Sequence, residues 1–261
     1  MKEVKKMKKG LTLLLVLGMG ILLVTGCQKA AETPATTQLS APEAAGGVAM
    51  MTKLCLASDN GIVTGFTGAS AMKVRAAAPS TPECTGGWWS STDSYSSAAI
   101  TYEASYQFRI LDLSSNPVST IAGLIALDDI SKITEIDIAS SFSYIVGGTS
   151  FSVNFGSGTA NPLKFGGYDT SIKTISGPIS LSETAHGENI TISLNYSAIN
   201  LSLTGYPSSG SVSFSITSNG SLVIAGNIVF DGDNTVTITF TSGVTGTYDV
   251  NIDTGVATLV P

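Results

Sequence analysis

Residues 100–110 read ITYEASYQFRI. Ile100, Tyr102, Ala104, Tyr106, Phe108 and Ile110 alternate there with Thr101, Glu103, Ser105, Gln107 and Arg109. Successive side chains of a β-strand point to opposite faces, so this spacing predicts one long strand with an apolar face and a polar face. Leu111, Asp112 and Leu113 shift the phase by one residue, as a bulge or a strand end does, ahead of the turn-like SSNP at 114–117. Residues 118–127, VSTIAGLIAL, fit a helical face through Val118, Ile121, Leu124 and Ile125, and equally a short β-branched strand.

The same period returns downstream. Phe151, Val153 and Phe155 form one set, Ile190 to Tyr196 another, then Ile199, Leu201 and Leu203, then Val212, Phe214 and Ile216. The last part reads as hairpins: Leu222 to Phe230, the DGDN turn at 231–234, Val236 to Phe240, Tyr248 to Ile252, the DTG turn at 253–255 and Val256 to Val260. Short connections favour an all-β antiparallel meander over 99–261. Its polar positions are mostly Ser, Thr and Asn, so the sheet buries one face only, which it does by curling into a half-barrel or barrel or by folding into a sandwich. Ahead of it, 51–98 is expected to be irregular or partly helical, with Val48, Met51, Leu54 and Leu56 available to pack on the apolar face.

The N-terminus has a different character. Lys2, Lys5, Lys6, Lys8 and Lys9 precede an apolar run from Leu11 to Val24, which is too short to span a bilayer comfortably. LVTGC follows at 23–27. This arrangement resembles the signal peptide and lipobox of bacterial lipoproteins. The resemblance covers the first 27 residues and implies cleavage after residue 26, a diacylglycerol on the Cys27 sulfur and acylation of the new amine, typically with palmitate. The protein would then be held in the bacterial cell envelope by lipid, since two or three chains anchor stably where one does not. The absence of Asp at position 28 resembles an outer-membrane sorting pattern. Residues 27–50 (lipidated Cys27, then QKAAETPATTQLSAPEAAGGVAM) are rich in Ala, Thr and Pro and read as a tether of roughly 25 Å reach, with an Ala-rich helix from near Ala44 as the competing reading.

Charge narrows the partners. Of 13 basic and 19 acidic side chains, five and one lie in the first 26 residues, which leaves eight against eighteen and a net charge of −10. No Lys or Arg follows Lys173. Such a chain does not track phosphates, so nucleic acid is excluded as a partner, and its β domain would be repelled by anionic head groups. The expected partners are the membrane, through Cys27, and an apolar ligand or an envelope protein.

Few residues suggest chemistry. Once Cys27 is lipidated, Cys55 and Cys84 remain, and an exported compartment permits a disulfide between them, worth roughly 3–4 kcal/mol on the chain-entropy model; two separate thiols are the alternative. Trp88 and Trp89 are adjacent, so in an extended segment their rings point to opposite sides, one being available for surface binding while the other closes a core edge. His186 is the only histidine and lies in the turn-like SETAHGEN. No nucleophile elbow, HExxH, P-loop or GxGxxG occurs, and two Cys with a distant His do not form a zinc set. Glu135 and Asp137 share one strand face without any sequence indication of their separation. Asp231, Asp233 and Asn234 have calcium-like spacing but suit a hairpin turn better.

The expectation is therefore a non-catalytic, lipid-anchored β module without cofactor or metal. Two other classes stand beside it: a small outer-membrane β-barrel with an added lipid anchor, and a hydrolase acting on envelope glycans.

Overall fold

The computed structural model describes residues 40–56, 83–98, 100–127, 129–201 and 206–261, without the side chains of 50–56 and Ile130. Cys27 with its lipobox, the tether at 28–39, the Cys55 side chain and residues 57–82 lie outside the described residues. One 14-stranded antiparallel sheet dominates and curls into a partial ring. Its first half contains β1 (Glu83–Thr85), β2 (Trp88–Ser96), β3 (Ile100–Asp112), β4 (Ile133–Ile138), β5 (Ser140–Val146), β6 (Thr149–Phe155) and β7 (Leu163–Gly166). The second contains β8 (Lys173–Ala185), β9 (Glu188–Leu201), β10 (Pro207–Ser218), β11 (Ser221–Phe230), β12 (Thr235–Ser242), β13 (Thr247–Asn251) and β14 (Ala257–Leu259).

The order is a meander. β4 and β5 are separated by Ala139 alone and both pair with β3, while β6 and β7 both pair with β8, so each couple acts as one long broken strand. Local turn chemistry sets the register. The two-residue loops Gly86-Gly87, Gly147-Gly148, His186-Gly187 and Asn219-Gly220 have positive φ at both positions, the geometry whose twist matches that of flanking strands. The phase shift at Leu111 is a register break between Leu111 and Asp112, and Asp112 then caps the turn by accepting the Ser114 and Asn116 N–H groups at 2.9 Å. Ile190 to Leu201, read as two alternating sets, is one strand that shifts phase around Ala198, where φ is +48°.

Among the described residues two α-helices accompany the sheet: α1 (Ala41–Leu56) and α2 (Ile121–Ala126). Over residues 41–50 the competing Ala-rich helix, not the tether, is found, and it starts at Ala41 because Ser40 and Glu43 cap it: the Ser40 N–H and hydroxyl donate to Glu43 Oε2 at 3.0 and 2.7 Å. Ala44, Ala45, Val48 and Ala49 bury themselves in the same core as the strands, against β12–β14. The approach is close, since a Cβ on Gly46 would lie 2.5 Å from the Gly255 carbonyl oxygen. The ambiguous stretch after the SSNP turn is resolved as α2, capped by Thr120 Oγ1, which accepts the Gly123 N–H at 3.0 Å.

The expected Cys55 to Cys84 disulfide is not present. Cys84 is a free, half-buried thiol in β1.

Candidate functional site

The apolar rows of all long strands face one side, and that inner face has two unlike parts. From β8 to β13 it is sealed: Ile192, Val212, Ile228, Ile238 and Val250 are between 0 and 4% exposed. Phe214, Phe240 and Tyr248 stack edge to face at 5.9 and 6.0 Å, and the first two close over Gly226, which lies between them in register. Toward β2–β6 the same face is aromatic and only half-buried, through Tyr102, Tyr106, Phe142, Tyr144 and Phe151. Tyr106 packs on Phe142 at 5.2 Å and Phe142 on Phe155 at 5.8 Å, which makes the half-open surface continuous with the core.

This aromatic surface has polar edges. The Tyr102 and Tyr106 hydroxyls are 2.8 Å apart, and burial, that hydrogen bond and the nearby Asp93 together push the Tyr102 phenol upward. One register row runs Tyr95, Tyr102, Tyr144, Phe151, Glu183, Ile190 across β2, β3, β5, β6, β8 and β9. Glu183 is 9% exposed, alternates inward with Ile179 and Leu181, and has its carboxyl pushed up by burial. The hydrophobic alternation of β8 up to Leu181 placed its neighbours inside, so Glu183 was reachable by continuing the same period two residues further.

The outer face carries a different cluster. Arg109, Asp137 and Lys164 stand opposite one another across β3, β4 and β7. Arg109 Nε donates to Asp137 Oδ2 at 2.8 Å, with a second contact from Nη2. Lys164 Nζ lies 3.0 Å from Glu135 Oε1 and 3.8 Å from Asp137 Oδ1. Burial raises the Glu135 carboxyl, the Lys164 ammonium opposes that shift, and Asp137 adds to it. Asp137 is wholly buried. A glycosidase nucleophile or base must reach substrate, and an enclosed, doubly ion-paired Asp137 cannot, so the Glu135 and Asp137 pair serves as a brace between strands.

The tryptophans split as their adjacency requires. Trp88 is half-buried on the outer face, with the Arg109 guanidinium 5.1 Å over its ring. Trp89 is not a surface residue: it is 3% exposed, faces inward opposite Phe108, and donates its indole N–H to the Val118 carbonyl at 2.6 Å. His186 occupies the exposed tip of the β8–β9 hairpin with φ +52°. DGDN closes the β11–β12 hairpin, where the Asp233 carboxylate accepts the Thr235 N–H at 2.6 Å. A shallow outer depression of about 430 Å³, lined by Ser180, Ser193, Asn195, Ser213 and Ser215, offers hydroxyl and amide groups but no charge.

Comparison with known proteins finds no matching family model, no matching curated protein and no matching solved structure.

Proposed function

We propose that this chain is a lipid-anchored protein of the bacterial cell envelope, held through Cys27, whose β domain binds an apolar ligand on the aromatic part of its concave face and catalyses no reaction. The observation that carries the reading is the contrast within one inner face: the β8–β13 part is filled by its own side chains, while Tyr102, Tyr106, Phe142, Tyr144 and Phe151 keep accessible aromatic area beside it. A folded protein leaves contiguous aromatic surface half-covered chiefly where something binds. The lipobox-like LVTGC at 23–27 supports the anchor, and the acidic charge supports a domain held off anionic lipid rather than lying on it. The outer face argues against the membrane-barrel alternative. Thr191, Ser193 and Asn195 on β9 and Thr235, Thr237 and Thr239 on β12 point away from the core, whereas a lipid-facing wall requires apolar side chains there.

Residues 28–261 retain every described residue and can be exported behind a cleavable signal. Native mass spectrometry with lipid extraction on that protein is expected to find a co-purifying apolar molecule, and loss of it on Phe142→Ala or Tyr144→Ala. An empty protein that takes up no alkyl-chain probe overturns the ligand reading. Metabolic labelling of the whole chain with palmitate, lost on Cys27→Ala, tests the anchor separately.

A further inference from the structure

The half-open face has one break in its row of large side chains. The inward residues of β3 run Tyr102, Ala104, Tyr106, Phe108 and Ile110, and Ala104 is the only small one among them. Residues four apart on a strand have Cα atoms about 13 Å apart, so upright rings at 102 and 106 would hold their hydroxyls well separated. The two hydroxyls are instead 2.8 Å apart. Both rings therefore lean toward each other and meet above Ala104, which is 5% exposed although it is a single methyl group on a half-open surface. The lean needs a small residue at 104, because a branched side chain would stand where the rings meet.

Beneath this arch lies a path inward. Ala104 is opposite Phe142 on β5, and the same register row continues through Val153 on β6 and Leu181 on β8 to Ile192 on β9. Those last three are between 4 and 8% exposed, so the row passes from the arch into the sealed core. Phe142 stands edge to face with Tyr106 at 5.2 Å and steadies that ring from the β5 side. Neither hydroxyl has another hydrogen-bond partner among the described residues. One hydrogen bond between neutral groups, net of the water it displaces, favours the closed arch by about threefold to tenfold, and side chains with exposed area change rotamer within nanoseconds. Such a tie stays shut over an empty face and yields to a ligand that gains more by entering.

We propose that the Tyr102–Tyr106 pair is a strap across the ligand site. Closed, it covers Ala104 and the row behind it; open, with the rings upright, it admits the leading end of an apolar chain onto Ala104 and Phe142. The strap rests on the concave-face reading above and adds to it the control of access, and its test separates the two.

Dodecanol is titrated below its solubility limit into residues 28–261 and into Tyr102→Phe, Tyr106→Phe, the double variant and Ala104→Val, with binding followed by native mass spectrometry and calorimetry. Apparent affinity is reduced by the fraction of molecules that are closed, so each single Phe variant is expected to bind about threefold to tenfold more tightly. The double variant is expected to gain no more than either single one, since both remove the same bond. Ala104→Val fills the floor beneath the strap and is expected to weaken binding about tenfold, the loss of roughly one buried methylene or more of contact. Unchanged or weaker binding by both Phe variants overturns the strap and leaves the apolar site standing. So do gains that add in the double variant, because they come from the more apolar ring and not from the lost bond. Full binding by Ala104→Val overturns the path beneath the arch. Failure of dodecanol to bind any of these proteins overturns the concave-face reading and the strap with it. If Ala104→Val does not fold, the Phe variants, which each lack one oxygen, decide.

Discussion

The half of the sheet from β2 to β7 and the half from β8 to β14 share one alternation, one topology and one core, yet they are held together by different forces. The second half contains no Lys or Arg after Lys173 at its first position, and relies on aliphatic burial inside with hydroxyls outside. The first half braces its outer face with Arg109, Asp137, Lys164 and Glu135 and leaves its inner face aromatic and half-open. A half-open surface forfeits the burial that would otherwise hold its strands together. An ion-paired ladder on the opposite face restores cohesion between β3, β4 and β7 without filling the groove.

That division of labour can be broken at several points. The largest effect is expected from Asp137→Ala, which leaves Arg109 and Lys164 facing a vacated, buried position and should cost about 3–5 kcal/mol in denaturant unfolding. A loss within measurement error would mean that the brace contributes nothing. Replacing both partners, Arg109→Met with Asp137→Leu, should recover most of it. Next comes truncation on the inner face. Ile238→Ala in the sealed half should cost about 2–5 kcal/mol, and Tyr144→Ala in the half-open part should cost less although it removes more atoms. Equal losses would erase the distinction between the two halves.

Gly226→Ala sharpens the account of the sealed half. A Cβ there would lie 2.4 Å from the Thr239 carbonyl oxygen and 2.8 Å from Phe214 Cζ, so overpacking should cost about 1–3 kcal/mol in thermal or denaturant unfolding. The smallest effect is expected at Glu183. Its folded pKa lies above the ordinary 4.5, so the carboxyl favours folding fully at pH below that value and loses the contribution as pH rises through its raised pKa. Glu183→Gln should therefore be more stable relative to the unaltered protein at pH 7 than at pH 4, read from melting temperatures of the ligand-free proteins. A difference that does not change with pH would remove the upward shift of the Glu183 carboxyl from the description.

Much of the strand pattern was legible because its cause is local. Alternation in 100–110 marked β3, and the paired positions 88 and 89 had to diverge, as Trp88 and Trp89 do. The start of α1 was also legible: an Ala-rich helix from near Ala44 was the competing reading, and the Ser40 and Glu43 spacing of a capping box puts its start at Ala41. Other features were not legible. Arg109 and Asp137 are 28 residues apart, and nothing in either segment states that they stand opposite each other. The free thiol of Cys84 has the same origin, because cysteine spacing signals what oxidation permits and not which strands come close.

By itself, then, the sequence determined the period of the strands, the positions of the turns and the one-sidedness of the sheet. Each of these depends on a few neighbouring residues: where a side chain points, and which residues accept positive φ. Only the tertiary structure decided which stretch of that apolar face is sealed and which stays half-open. The same structure enclosed Asp137 between two cations and turned Glu183 inward. Exposure and pairing depend on the curl of the whole sheet and on register across strands, and both are set by the sum of many contacts distant in the chain.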